Sequence, residues 1–170
     1  MSEPRDRPLP MVALYPHVDC PDLDLGRLVQ RANLALPACL AEPGGEDPVL
    51  PDCEEVEVSL VSDGAIAGVH GEFMDDPTPT DVITFHHGEI LVSVDTARRE
   101  GPGHGNAAEE ETLLYIIHGL LHLNGHTDLR EPDRTVMHRL QERILAAVLG
   151  REETAPGIPT QQRPDLETNR

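Results

Sequence analysis

Three histidines spaced four apart, His118, His122 and His126, interrupt the otherwise apolar segment "IIHGLLHLNGHTD" at residues 116–128. On a helix, residues four apart stack on one face, so His118 and His122 can address a common atom. Leu114 lies one turn earlier on the same stripe, which points that face inward. Two imidazoles buried among leucines without partners would cost roughly 1–3 kcal/mol each. A divalent cation removes that cost, and it binds neutral imidazole, the form that burial favours. HxxxH alone is a weak signal, because nine histidines produce such spacings by chance. The punctuation strengthens it: Gly125 is suited to end the helix and turn the chain, bringing His126 and Asp128 back toward the same point. Two ligands from a helix and one from the following turn give the three-ligand, open-position geometry of catalytic zinc. The pair is not the HExxH of zinc peptidases, since Gly119 stands where the general-base glutamate would be. A glycine there lets another segment pack closely on the helix.

The elements that must position these residues are legible from periodicity and caps. The pattern predicts a short edge strand at 11–16, a helix over 23–36 with Leu25, Leu28, Val29, Ala32 and Leu36 inward, and a loop over 41–52. Alternation over 55–62 predicts a half-buried strand, followed by a short helix with Asp63 as N-cap. Residues 75–80 read as a loop, and two β-branched runs, 81–85 and 89–94, around "HHG" predict a hairpin. The metal helix should begin at a capping box, Asn106 with Glu109, and stop at about Asn124. A last helix starts with Pro132 in its first turn and turns Val136, Met137, Leu140, Ile144, Leu145 and Val148 inward. The expected architecture is α/β (α+β): a small mixed sheet of about four strands packed with helices around one central buried helix. It occupies residues 1–150 as a single domain, and the polar, proline-bearing segment 151–170 reads as a disordered tail.

Composition narrows the function classes. The chain has 170 residues, a formal net charge of −18 and no lysine, which argues against non-specific polyanion binding but not against a local basic patch. No apolar run is long enough to span a membrane, and the N-terminal segment has no secretion-signal h-region. Cys20, Cys39 and Cys53 form no CxxC pair and fit reduced thiols in a cytoplasm.

"HGLLHLNGHTD" resembles the signature H-G-x-L-H-L-x-G-x-D-H of the YbeY family of metal-dependent endoribonucleases that mature rRNA, matching at His118, Gly119, Leu121, His122, Leu123 and Gly125. "TDVITF" at 80–85 and "GEILVSVD" at 88–95 resemble two further segments of that family, and the likeness covers about residues 55–149. It implies a single-strand-specific, zinc-dependent endoribonuclease of 16S rRNA maturation and small-subunit quality control. Its partners would be rRNA precursor and small-subunit ribosomal proteins, and its location the cytoplasm. The third family ligand falls on Asp128, with His126 as the alternative; Asp81 and Thr80 would stand beside the metal helix, Asp81 as a candidate catalytic group together with His118 and His122. Two departures are visible. Thr127 and Asp128 replace the usual Asp and His, and Met74 stands where many members carry an arginine suited to phosphate. Arg98, Arg99 and Arg130 are the possible replacements, each more simply read as a solvated helix charge. A ribosome-assembly factor with a structural metal, and a metal-dependent hydrolase of another substrate, are the rival readings.

Overall fold

The structure is a computed structural model and describes residues 8–74 and 80–151; the expected tail and most of the 75–80 loop lie outside them. Strands β1 (Met11–Pro16), β2 (Glu55–Val61), β3 (Val82–Phe85) and β4 (Glu89–Ser93) form one sheet in the order β1-β2-β4-β3. The β1–β2 and β2–β4 pairs are parallel and β3–β4 is the antiparallel hairpin. Helices α1 (Leu25–Leu40), α2 (Asp63–Met74), α3 (Val94–Glu100), α4 (Ala108–Leu123) and α5 (Glu131–Leu149) complete this mixed α+β fold. Among the described residues no helix is long and apolar enough to cross a membrane.

Helix α4 is the centre of the main core. Residues 111–121 are all buried, because the sheet, α1, α3 and α5 each pack against it. Its contact with the sheet depends on Gly119: a Cβ there would lie 2.7 Å from Ile90 Cδ1 and 2.9 Å from Ile90 Cγ2. The glycine thus seats the metal-helix candidate on β4, as its spacing suggested.

Several local expectations shift. Strand β2 is buried on both faces in its second half, where Ser59 and Val61 are covered, because α2 closes a second core of Val61, Ile66, Ile83 and Leu91. Helix α2 is capped by Ser62, whose Oγ accepts from the Ala65 amide at 3.1 Å. Asp63 instead turns inward and accepts from Ser93 Oγ at 2.6 Å and Thr96 Oγ1 at 2.8 Å. Helix α1 runs past its expected end through Pro37 to Leu40. Its Asn33 amide donates to the Val12 carbonyl at 3.1 Å and accepts from the Val12 amide at 2.9 Å, covering the free edge of β1. Val136, expected inward on α5, is 47% exposed, and the buried stripe is Met137, Leu140, Gln141, Ile144 and Leu145.

The α4 cap sits one residue later than expected. Ala107 is the N-cap, and its amide donates to Glu110 Oε1 at 2.8 Å, the return half of a capping box. Glu109 is thereby free to accept from Arg27 through both carboxylate oxygens, at 2.7 and 3.0 Å, and from the Asp24 amide at 2.8 Å. This one carboxylate joins the N-terminal ends of α1 and α4.

Gly119→Ala gains about 1 kcal/mol of helix propensity but overpacks Ile90, which costs about 1–3 kcal/mol; net destabilisation is expected in chemical denaturation. Adding Ile90→Val removes the nearest atom and should recover part of the loss. For Glu109, burial acts to raise the carboxyl pKa, but the Arg27 hydrogen bonds, the Asp24 amide and the charges of Arg27 and Arg31 overcome it, leaving it below its ordinary value. A depressed carboxyl contributes stability above its unfolded pKa and loses it as pH falls through the folded one. Glu109→Gln should therefore destabilise by about 1–2 kcal/mol at neutral pH, the low end for charged hydrogen bonds because Arg27 is half-exposed. The gap to wild type should close as pH falls below the ordinary carboxylate range.

Candidate metal centre

The site is built from the end of α4 and the turn that follows. His118 and His122 project from one face of the helix with Nε2 atoms 3.0 Å apart. Asn124 is the C-cap and Gly125 adopts a φ of +96°. The Gly125 amide then bonds the His122 carbonyl at 3.0 Å and the His126 amide the Leu121 carbonyl at 3.0 Å, the paired bonds of a Schellman motif. The reversal brings Asp128 Oδ2 to 3.5 Å from His118 Nε2 and 3.6 Å from His122 Nε2. Among the described residues, His118, His122 and Asp128 form the one group of three ligand-type side chains converging in this way.

The other ring nitrogens are engaged. His122 Nδ1 lies 3.0 Å from the His126 carbonyl oxygen. A carbonyl only accepts, so Nδ1 carries the hydrogen and the neutral ring turns a lone pair toward the shared point. His118 Nδ1 lies 2.7 Å from Gln141 Oε1 on α5. Ligand atoms on a tetrahedral cation with bonds of about 2.0–2.1 Å lie roughly 3.3 Å apart. Separations of 3.0, 3.5 and 3.6 Å bracket that spacing. Burial acts to raise the Asp128 carboxyl pKa, but hydrogen-bond donation and positive charge at the two imidazoles, which a cation at the shared point would replace, outweigh burial and hold it well below the ordinary carboxylate range. Two nitrogens and one anionic oxygen, all pointing inward, suit a divalent cation. His118 and Asp128 are closed off, while the His122 side chain is 19% exposed and marks the open side.

His126 is directed elsewhere: its Nε2 donates to the Glu42 carbonyl at 2.6 Å. It belongs to a clasp that the sequence did not reveal. The amides of Gly44, Glu46 and Val49 bond the carbonyls of Asn124, Gly125 and Leu123 at 2.9, 3.0 and 2.8 Å. The Asn124 amide group bonds the Cys39 carbonyl at 2.8 Å. Arg134 Nε reaches the Asp128 carbonyl at 3.2 Å. Gln141 was also missed, although a glutamine four residues from both Met137 and Leu145 on an apolar stripe was the signal for it.

Asp81 lies outside the cluster. It is buried, its carboxylate accepts from the Val82 amide at 2.9 Å and Thr80 Oγ1 at 3.3 Å, and its charge acts on the Tyr115 hydroxyl. His86 and His87 are exposed on the hairpin, where His87 meets Glu89 at 2.9 Å. Of the arginines considered for phosphate, Arg98 binds Asp22 and Asp95, Arg99 binds Asp63, and Arg130 is exposed at the start of α5. Met74 is 51% exposed at the end of α2.

The family model for Endoribonuclease YbeY matches residues 30–149. The chain belongs to that family. It is 37% identical over 131 residues to Endoribonuclease YbeY of Thermus thermophilus, covering 70% of this chain and 90% of that protein. The Micrococcus luteus Endoribonuclease YbeY is 30% identical over 120 residues, 61% of this chain and 76% of that one. A solution structure of a Thermotoga maritima protein aligns over 87% of this chain and 99% of its own, with TM-score 0.57 and 24% identity, a likeness of fold. The resemblance read from the histidine segment is thus borne out over most of the chain.

A Cβ on Gly44 would run into the Gly125 carbonyl, whereas one on Gly45 meets nothing within 4 Å. Gly44→Ala should cost about 1–3 kcal/mol and speed amide exchange at Glu46 and His126. Gly45→Ala should stay within about 0.5 kcal/mol of wild type; equal effects of the two would remove the clasp as a constraint on the turn.

Proposed function

We propose that the protein is a zinc-dependent, single-strand-specific endoribonuclease that acts on 16S rRNA precursor and in quality control of the small ribosomal subunit. The observation that carries this reading is the convergence of His118 Nε2, His122 Nε2 and Asp128 Oδ2, at 3.0, 3.5 and 3.6 Å, in a chain of the Endoribonuclease YbeY family. When bound, the cation supplies Lewis acidity at a phosphodiester oxygen or at water. The protein supplies the rest: His118 and His122 present Nε2 in a set direction, Asp128 contributes the negative charge, and burial of His118 and Asp128 leaves access past His122. Asp81 holds the start of β3 beside α4 in this reading and is not a ligand. Zinc suits a set of two imidazoles and a carboxylate, which also accommodates other divalent ions. The reading places the protein in the cytoplasm, as one domain over residues 1–150, in contact with small-subunit ribosomal proteins.

One observation favours a second reading. Met74 removes an expected cation, and Arg98 and Arg99 are committed to carboxylates, which suits an assembly factor whose acidic surface docks on basic ribosomal proteins and whose metal is structural. Cleavage of a single-stranded rRNA precursor fragment separates the two, with metal content measured on protein purified without added salts. The nuclease reading expects about one metal per chain and cleavage by the wild type. It also expects His118→Ala and Asp128→Ala to lose both by more than 100-fold, beyond the about 10–100-fold typical of losing an outer partner. His126→Ala should keep metal binding within about threefold, since its ring takes no part. Cleavage that survives in metal-depleted His118→Ala protein defeats the nuclease reading; retained metal with no cleavage by the wild type selects the assembly factor.

A further inference from the structure

Gln141 is 1% exposed and sits on the inner stripe of α5, where its neighbours Met137, Leu140, Ile144 and Leu145 are apolar. A buried amide in such a stripe carries an energetic cost unless its polar atoms are matched. Its Oε1 lies 2.7 Å from Nδ1 of His118, a side chain 2% exposed and reached across the α4–α5 interface. The contact determines which nitrogen of His118 can serve the shared point. With Oε1 accepting, Nδ1 carries the hydrogen and Nε2 holds the lone pair that faces His122 and Asp128. Were the amide reversed, its NH2 group would donate to Nδ1, and His118 Nε2–H could then donate to His122 Nε2 at 3.0 Å, closing the pair without a cation. The backbone settles this question for His122, whose Nδ1 faces a carbonyl. For His118 only a side chain does so.

We infer that Gln141 is a positioning residue for the metal centre: its carbonyl holds His118 in the Nδ1–H tautomer and so directs Nε2 to the cation. This rests on the metal reading of the His118, His122 and Asp128 cluster and extends it to α5. An outer partner of a ligating histidine is most often a carboxylate or a backbone carbonyl; here it is a neutral amide. Asp128 is then the one anionic group of the three ligands, and a divalent cation keeps net positive charge when bound. The role also gives the packing of α5 on α4 a direct bearing on the metal site.

The test uses the full chain and zinc, with affinity measured by chelator competition for wild type, Gln141→Leu and Gln141→Glu, and with 15N NMR of the His118 ring in the zinc-loaded wild type. Gln141→Leu removes the acceptor at similar volume and should weaken zinc binding about 10–100-fold. Gln141→Glu restores an acceptor and adds a negative charge, so affinity should return to the wild-type level or exceed it, which a purely packing role would not produce. The His118 ring should show hydrogen on Nδ1 and zinc on Nε2. Zinc binding by Gln141→Leu within about twofold of wild type, loss in Gln141→Glu as large as in Gln141→Leu, or zinc on His118 Nδ1 overturns the inference while leaving the metal reading intact. Should Gln141→Leu fail to fold, the Glu variant and the wild-type ring spectrum decide. A wild type that takes up no zinc defeats the metal reading, and this inference with it.

Discussion

Two imidazole nitrogens held 3.0 Å apart beside a buried carboxylate are the constraint around which the molecule is organised. Because His122 Nδ1 must donate to the His126 carbonyl, the neutral His122 ring has only a lone pair to offer on its other side. That lone pair faces a second imidazole nitrogen and an anionic oxygen. Acceptors crowded together in a low dielectric repel one another, and the repulsion is relieved only by positive charge placed among them, a proton or a cation. The three-atom spacing matches what a tetrahedral cation requires, and one edge remains open to solvent. Helix register alone brings two of the atoms together; a chain reversal brings the third.

The rest of the fold holds that reversal still. Helix α4 cannot slide along the sheet, because Ile90 occupies the space a side chain at 119 would need. It is tied to α1 at both ends, by Glu109 at the first turn and Asn124 at the last. The Schellman turn then sets where residue 128 goes, and the 44–49 clasp bonds three successive carbonyls that the helix end leaves open. A turn secured by backbone bonds on both sides loses little further conformational entropy on binding an ion, so the affinity of such a site is in large part preorganised.

Much of this was legible in the sequence, for identifiable reasons. Strongly periodic or cap-bounded elements, such as α4 with its Gly125 terminus and the β3–β4 hairpin, came out close to their observed limits. The place of Gly119 as a packing notch was legible because glycine inside a buried helix has few other uses. What failed did so where a distant element took over a residue with two local options. Asn106 and Asp63 are both good caps, yet Asn106 Oδ1 accepts from Arg151, beyond α5, at 2.7 Å and Asp63 binds side chains from β4 and α3. Ala107 and Ser62 cap in their place. The clasp was invisible because it is made of backbone groups in a loop rich in Gly and Pro, with no side-chain pattern to read. Of the three histidines at fourfold spacing, the third is diverted by that same clasp: the helix ends before 126, so the spacing no longer implies a shared face.

The chain also contains its own comparison for the question of whether buried histidines here are structural. His104 and Glu111 are both fully covered and meet at 2.6 Å through His104 Nδ1, with Asn106 donating to the other Glu111 oxygen. One imidazole and one carboxylate, with the second oxygen supplied, form a matched pair of donor and acceptor. The cluster at α4's other end uses the same residue types in a different ratio and orientation. Two imidazoles face one carboxylate, and Nδ1 of each is already turned outward to Gln141 or to the His126 carbonyl. What remains inside is two ring nitrogens and one carboxylate oxygen within 3.6 Å of one another, a group that a shared proton or a divalent cation can hold together. The His104 ring pairs one to one with the Glu111 carboxylate, whereas at His118 and His122 two rings share one carboxylate, the ratio that a single cation between them would use.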